Sequence, residues 1–310
     1  MTTEPRIIEL FAGPGGVSEG LRLLGLGSVG LEWGVDACAT RAAAGHRTIR
    51  TDVANYPPER FAGRVEGLWA SPPCPDWSQA GRRAGREGAS GGLVDEVPRW
   101  VGIVRPRWVA CEQVPPALHV WEHFAHLFRQ DGYSTWTGLL SSERWGVPQT
   151  RERAILLARL DGAARPPTPT HQRYEPGVGQ GEAVECQPSM FGPGVAPWVS
   201  MADALGWAED VTVSSFHGAG MAERHGNRPP RHANERPATT VMGDPRLAAA
   251  GHHDRQMNDA VRLTIADALT LQGFRPDYPL QGTKTSQFQQ VGNAVPPPLA
   301  AAIIAAIGGY

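Results

Sequence analysis

Lysine is almost missing from this sequence: Lys284 is the single one among 29 basic residues. A lysine-rich tail or patch is therefore excluded, and any grip on an anion falls to arginine, whose planar fork suits phosphate and guanine. The codon usage of a GC-rich genome would produce the same imbalance, so it carries no functional reading by itself. Cysteine is scarce as well. Cys38, Cys74, Cys111 and Cys186 show no CxxC spacing, which excludes a disulfide framework and leaves free thiols in a cytoplasmic setting as the expectation. No apolar run reaches the roughly 20 residues that span a bilayer. The opening "MTTEPRIIEL" lacks the basic and apolar regions of a signal peptide, so no membrane association is expected. The formal charge of −2 at pH 7 carries no global footprint for a polyanion, so any such surface must be local.

What is present is an ordinary globular composition, 41% hydrophobic and 19% charged over 310 residues, enough for one large domain or a large and a small one. The first half alternates strand-like and helical runs. "RIIELFAG", "SVGLEW", "VEGLWAS", "RWVACEQV" and "AILLARL" read as strands. "VSEGLRLLG", "DEVPRWVGIV" and "HVWEHFAHLFRQDG" read as helices, the last with Val120, Phe124, Leu127 and Phe128 on one face. This alternation predicts a doubly wound α/β domain. Residues 162 to about 235 break the pattern with Pro, Gly and polar groups. Helical order is expected again over "NDAVRLTIADALTLQGF" and "PPPLAAAIIAAIGG". Trp145 and Trp207 are expected to be core residues.

Chemistry concentrates at the strand ends. "ELFAGPGGVSEG" sets Gly13, Gly15 and Gly16 between a strand and a helix, where a backbone can approach a ligand closely. Glu32 lies about 20 residues on, the usual place for a ribose-binding carboxylate. Trp33 beside it can stack on an adenine, and Asp52, where a third strand should end, can accept from an adenine amino group. Singly, each is as well explained as a surface carboxylate or a core aromatic; together they suggest an adenosine-containing cofactor. In "WASPPCPDWSQAG", Pro72 and Pro73 stiffen the chain before Cys74. Glu112 follows the buried run "WVAC" at the same predicted sheet edge, so a thiol and a carboxyl can face one cleft.

At this point the residues resemble a family. "ELFAGPGG", "SPPCPDWSQAG", "EQV", "PQTRERAILL" and "QVGNAVPPPLA" are similar to the ordered motifs of the cytosine-C5 DNA methyltransferases, over residues 7–159 and about 236–302. The resemblance implies an α/β, Rossmann-like S-adenosylmethionine-dependent methyltransferase core with a small irregular target-recognition domain. The division expected is 1–160 plus 256–310 for the catalytic part and 161–255 for target recognition. It implies that the Cys74 thiolate adds to C6 of a flipped cytosine while Glu112 hydrogen-bonds N3. C5 then takes the methyl of S-adenosyl-L-methionine, and loss of the C5 proton expels Cys74. Arg151 and Arg153 are the implied groups for the base carbonyl, a neighbouring phosphate and the orientation of Glu112. Phe11, Gly13, Pro14, Gly15, Gly16, Glu32, Trp33, Asp52, Val53, Pro73 and Asn293 are the implied cofactor residues. The chain departs from the usual pattern with Pro75-Asp76 after the cysteine, Gln113 in place of asparagine, and Asp267 where glutamate is commoner.

The implied partner is double-stranded DNA, with a cognate restriction endonuclease as a candidate second partner and a monomer as the expected state. Ser78, Gln79, Arg82, Arg83 and Arg86, directly after the nucleophile, are candidate DNA contacts. So are Arg228, Arg231, Arg236 and Thr240, in a stretch where Arg224 and Arg246 add to the positive charge. His217, His225, His232, His252 and His253 match no zinc spacing, and no metal is expected. Three rivals keep part of this reading: a tRNA cytosine-5 methyltransferase of the same fold, a catalytically silent DNA-binding regulator, and an enzyme that transfers a group larger than methyl.

Overall fold

A computed structural model of the chain describes residues 6–73, 91–188, 193–208, 212–213, 231–241, 243 and 263–310. Their contacts group into two units. The first comprises Met1–Leu140, Glu152–Thr168 and Leu299–Tyr310; the second comprises Ser141–Arg151 and Pro169–Pro298. Packing and functional division are separate questions, since a segment can pack with one unit and serve the chemistry of the other.

The first unit is built on a seven-stranded sheet. Its strands are β1 (Ile7–Leu10), β2 (Val29–Glu32), β3 (Arg47–Arg50), β4 (Gly67–Ala70), β5 (Trp108–Gln113), β6 (Ser134–Ser141) and β8 (Glu152–Arg159), β7 belonging to the second unit. The spatial order is β3-β2-β1-β4-β5-β8-β6. The pairs from β3 to β5 are parallel, and β8 runs antiparallel to β5. Crossover helices α1 (Gly16–Leu23), α2 (Val35–Ala43), α3 (Glu96–Val104) and α4 (Leu118–Gln130) link them. The sequence pattern marked all of these except α2 and β6; the third strand expected to end at Asp52 is β3, which closes at Arg50. Chain order reverses between β1 and β4, which is the switch point where open α/β sheets bind ligands.

Side-chain alternation assigns the two faces. Ile8, Leu10, Leu68, Ala70, Val109, Cys111, Ala154, Leu156 and Ala158 point into one core with Trp100, Val101, Trp121, Phe124 and Phe128 of α3 and α4. On β1 the intervening residue Glu9 faces the other way and is fully buried. It accepts from the hydroxyls of Ser18 (2.5 Å) and Ser28, and Arg41 Nη1 lies 3.6 Å from its Oε2. Arg41 also donates to Thr48 Oγ1 at 2.9 Å and to the Ala12 carbonyl at 3.3 Å. A Cβ on Gly30 would sit 2.2 Å from Arg41 Nη2, which explains a glycine inside strand β2.

The C-terminal helix α8 (Pro297–Gly308) contributes Leu299, Ala300, Ile303, Ile304 and Ile307 to the first unit, all fully buried. By length and composition alone, Lys284–Gly308 could cross a membrane, but 67% of its most apolar window is buried within the protein.

The second unit has short elements. They are β7 (Gln149–Thr150), α5 (Met201–Leu205), β9 (Thr212–Val213), β10 (Arg231–His232), β11 (Ala238–Thr239), α6 (Ile265–Leu271) and α7 (Lys284–Asn293). Helix α6 begins at Ile265; residues 258–262 of the expected helical stretch lie outside the described residues. Thr264 and Asp267 form a capping box, each side chain bonding the other's backbone N–H, which sets the helix start there. Asp267 is thus a helix-capping residue. Trp145 is buried as expected, whereas Trp207 is only partly so.

Candidate active site

In the first unit the C-terminal ends of β1, β2, β3, β4 and β5 share one edge, and antiparallel β8 brings its N-terminal end there. The glycine turn after β1 bends sharply. Gly13 and Gly15 have φ of +56° and +111°, and Phe11 adopts φ +56° without being glycine. A non-glycine residue in that region stores about 1–3 kcal/mol, strain that collects at functional sites. Space lies open over Gly13, where an added Cβ meets nothing within 4 Å.

Glu32, at the end of β2, pins this turn. Its Oε2 accepts from the Gly13 N–H at 2.8 Å and its Oε1 from the Gly34 N–H at 2.7 Å. Trp33 beside it is 70% exposed. Asp52 follows β3 and caps its own turn, accepting from Ala54 N at 2.9 Å and from Asn55 Nδ2 at 2.7 Å. Val53 is buried, and its carbonyl accepts from Trp100 Nε1 at 3.2 Å and Arg99 Nη2 at 3.1 Å, so α3 holds the Asp52 turn. Pro14, Gly15 and Gly16 are buried, and Pro73 is exposed at the end of the described β4 segment.

Glu112 lies within β5, one residue before its end, rather than after the strand. The β5–β8 register pairs it with Ile155, so Arg153, two residues along β8, lies diagonally on the same face. Arg153 Nε donates to Glu112 Oε1 at 2.9 Å, and both side chains are about one-tenth exposed. Gln113, on the opposite face, donates from Nε2 to the Pro72 carbonyl at 2.9 Å. Cys74 lies outside the described residues, as do Ser78, Gln79, Arg82, Arg83, Arg86 and Arg228; of Arg231 only the backbone is described.

Arg151 differs from the sequence expectation. It belongs to the second unit and is 2% exposed, and it donates to the Gly292 carbonyl at 2.8 Å and the Val241 carbonyl at 3.3 Å. Its guanidinium is engaged with backbone, and the orientation of Glu112 falls to Arg153. Asn293, next to Gly292, is exposed while its neighbours are buried. Thr240 Oγ1 donates to the Thr150 carbonyl at 3.3 Å, and the Arg236 guanidinium lies 5.9 Å from the Tyr174 ring centre.

Sequence reasoning assigned no role to Gln149. It is fully buried: Oε1 accepts from Val241 N at 2.8 Å, while Nε2 donates to Gln272 Oε1 at 2.7 Å and the Leu271 carbonyl at 3.0 Å. Gln272 passes the chain on to the Ala294 carbonyl at 2.6 Å. The signal was legible: Gln149, Arg151 and Arg153 recur at period two, which sets polar groups on one side of an extended segment.

Comparison with known proteins gives a consistent picture. The family "C-5 cytosine-specific DNA methylase" matches residues 5–179 and 211–309. The chain is 26% identical to the Type II methyltransferase M1.HphI of Haemophilus parahaemolyticus, covering 97% of this chain and 86% of that one. It is 27% identical to M.NaeI of Lentzea aerocolonigenes, covering 96% and 73%. Among solved structures, S. pombe Dnmt2 methyltransferase shares the fold at TM-score 0.64 and 15% identity, covering 97% of both chains. Entamoeba histolytica methyltransferase EhMeth shares it at TM-score 0.66 and 13% identity, over 99% of this chain and 98% of that one.

Proposed function

Because the chain belongs to the C-5 cytosine-specific DNA methylase family, and is thereby a DNA (cytosine-5)-methyltransferase, we propose that Cys74 is its nucleophile and that its target is a cytosine turned out of double-stranded DNA. The observation that carries this reading is the buried Glu112–Arg153 pair at the sheet edge to which β4 leads the chain before Cys74. A paired carboxyl at that edge is fixed in direction, and it can reach a base only once the base has left its stack.

The Cys74 thiolate adds to C6, and the displaced electron pair moves toward N3. There Glu112 hydrogen-bonds N3 and accepts from the exocyclic amine, which leaves C5 enamine-like and able to take a methyl group. Loss of the C5 proton later lets the S–C6 bond break and returns the thiolate. S-adenosyl-L-methionine, when bound, supplies the methyl group. The residues at the glycine turn fit it. Each oxygen of Glu32 accepts one backbone N–H and keeps a lone pair for a ribose hydroxyl. Trp33 offers its exposed ring to the adenine, and Asp52 the acceptor for its amino group. Phe11, Gly13, Pro14, Gly15, Gly16, Val53, Pro73 and Asn293 complete the cofactor set. Arg151 supports Asn293 through the Gly292 carbonyl.

Residues 1–160 and 256–310 are assigned to catalysis and 161–255 to target recognition. Ser78, Gln79, Arg82, Arg83, Arg86, Arg228 and Arg231 contact the DNA, and Arg236 and Thr240 organise the return from the recognition part. The Type II relatives support a restriction–modification role. To this reading we add a cognate endonuclease as partner and a monomeric, cytoplasmic enzyme.

Mass spectrometry of nucleosides from cells otherwise free of cytosine methylation tests this. The wild type yields 5-methyldeoxycytidine, whereas Cys74→Ala and Glu112→Gln, both folded, do not. Product in RNA alone moves the substrate to RNA, a heavier cytosine adduct indicates another transferred group, and full activity of either variant removes the mechanism.

A further inference from the structure

We infer that Gln113 is a positioning residue that aims the segment leading to Cys74, an inference that rests on Cys74 being the nucleophile. The parallel ladder between β4 and β5 ends at the pair Ala70–Cys111. Beyond it, β5 continues for two residues, paired on its other side with β8 through Glu112–Ile155 and Gln113–Ala154. On the β4 side, Ser71 N still donates to the Leu10 carbonyl at 3.2 Å. Then come Pro72 and Pro73, which have no N–H to give, so a backbone ladder cannot go on.

The buried Pro72 residue still carries a carbonyl that needs a donor. Gln113 supplies it from its side chain, Nε2 to the Pro72 carbonyl at 2.9 Å, while its Oε1 accepts from Val114 N at 2.7 Å. The side chain is 3% exposed. One amide thus replaces the missing rung, and its direction is fixed, because a flipped amide would set oxygen against carbonyl and N–H against N–H. Pro73 fixes its own φ, which removes one soft dihedral between the Pro72 carbonyl and Cys74. Adjacent residues of β5 therefore divide the work: Glu112 faces the base, held by Arg153, and Gln113 faces away and holds the nucleophile's approach.

The test uses the full chain, tritiated S-adenosyl-L-methionine and bacterial DNA lacking cytosine methylation. Gln113→Glu keeps the acceptor for Val114 N but, when ionised, loses the donor to Pro72. Its kcat falls by about 10²-fold with KM for both substrates unchanged, the size expected for a misplaced reacting group. Burial and the facing Pro72 carbonyl raise the new carboxyl above its ordinary value of about 4.3, so the deficit shrinks as the pH is lowered and a protonated carboxyl regains a donor. Gln113→Met, similar in length and without polar atoms, stays slow at every pH. Melting curves confirm that each variant is folded. Wild-type kcat in either folded variant, or a Gln113→Glu deficit that ignores pH, overturns the inference. A wild type that makes no 5-methylcytosine overturns the underlying reading and this inference with it.

Discussion

The two units solve the same problem, satisfying buried backbone, by different means. In the first, β5 and β8 share six register pairs, and polar side chains serve the backbone where the chain leaves the sheet: Glu32 at the glycine turn, Arg41 behind it, Gln113 at Pro72. In the second, β7 and β11 share two pairs, and the junction is held by the side chains of Gln149, Gln272 and Arg151. Regular ladders release side chains at their ends for chemistry. Short strands consume side chains as substitutes for the ladder. A buried arginine in one unit and a buried arginine in the other are therefore different objects, although both stand in the same "QTRER" run.

Three substitutions probe this contrast by urea unfolding. The largest effect is expected from Arg41→Met, which strands the fully buried Glu9 carboxylate beneath the glycine turn. Removing one partner of such a pair costs about 3–5 kcal/mol. A loss under about 1 kcal/mol would show that the pair carries little of the turn.

Next comes Gln149→Leu, which leaves the Val241 N–H and the Leu271 carbonyl without their side-chain partner. Each buried orphan costs about 1–3 kcal/mol. This loss should appear in the transition of the second unit, and a uniform loss across the whole unfolding curve would mean that the two units unfold as one.

The smallest and most conditional effect is at Glu19 on α1. Burial raises its carboxyl, but hydrogen bonds from His46 and Arg22 outweigh that and bring it down to about 2 from an ordinary 4.5. A depressed carboxylate stabilises the fold above its unfolded value and loses that contribution as pH falls through its folded value. Glu19→Gln should therefore be less stable at neutral pH and converge on the wild type between 4.5 and about 2. Parallel curves over that window would remove the assigned pairing.

Much of the architecture was legible locally. Strands β1, β2, β4, β5 and β8 announced themselves as short apolar runs closed by glycine, proline or charge, and α4 by its helical spacing. The glycine turn, Glu32, Asp52 and Glu112 could be placed at one edge, because βαβ alternation puts successive strand ends on the same side. Edge strand β6, with only Leu140 buried, carried no such signal. The start of α6 is set by a capping box of two residues, Thr264 and Asp267, which lies inside a longer apolar pattern.

The residue types at the site were thus determined by the sequence itself: a thiol after two prolines, a carboxyl after a buried run, arginines at period two. Which arginine serves which partner was decided only by the tertiary structure. Arg151 and Arg153 are two residues apart and chemically identical. Their environments are set by register: Arg153 lies diagonal to Glu112 because β8 pairs antiparallel with β5, and Arg151 meets the carbonyls of Val241 and Gly292 because distant segments return to it. Periodicity fixes the face a side chain takes, whereas its partner comes from far along the chain, 41 residues for Arg153 to Glu112 and 141 for Arg151 to Gly292.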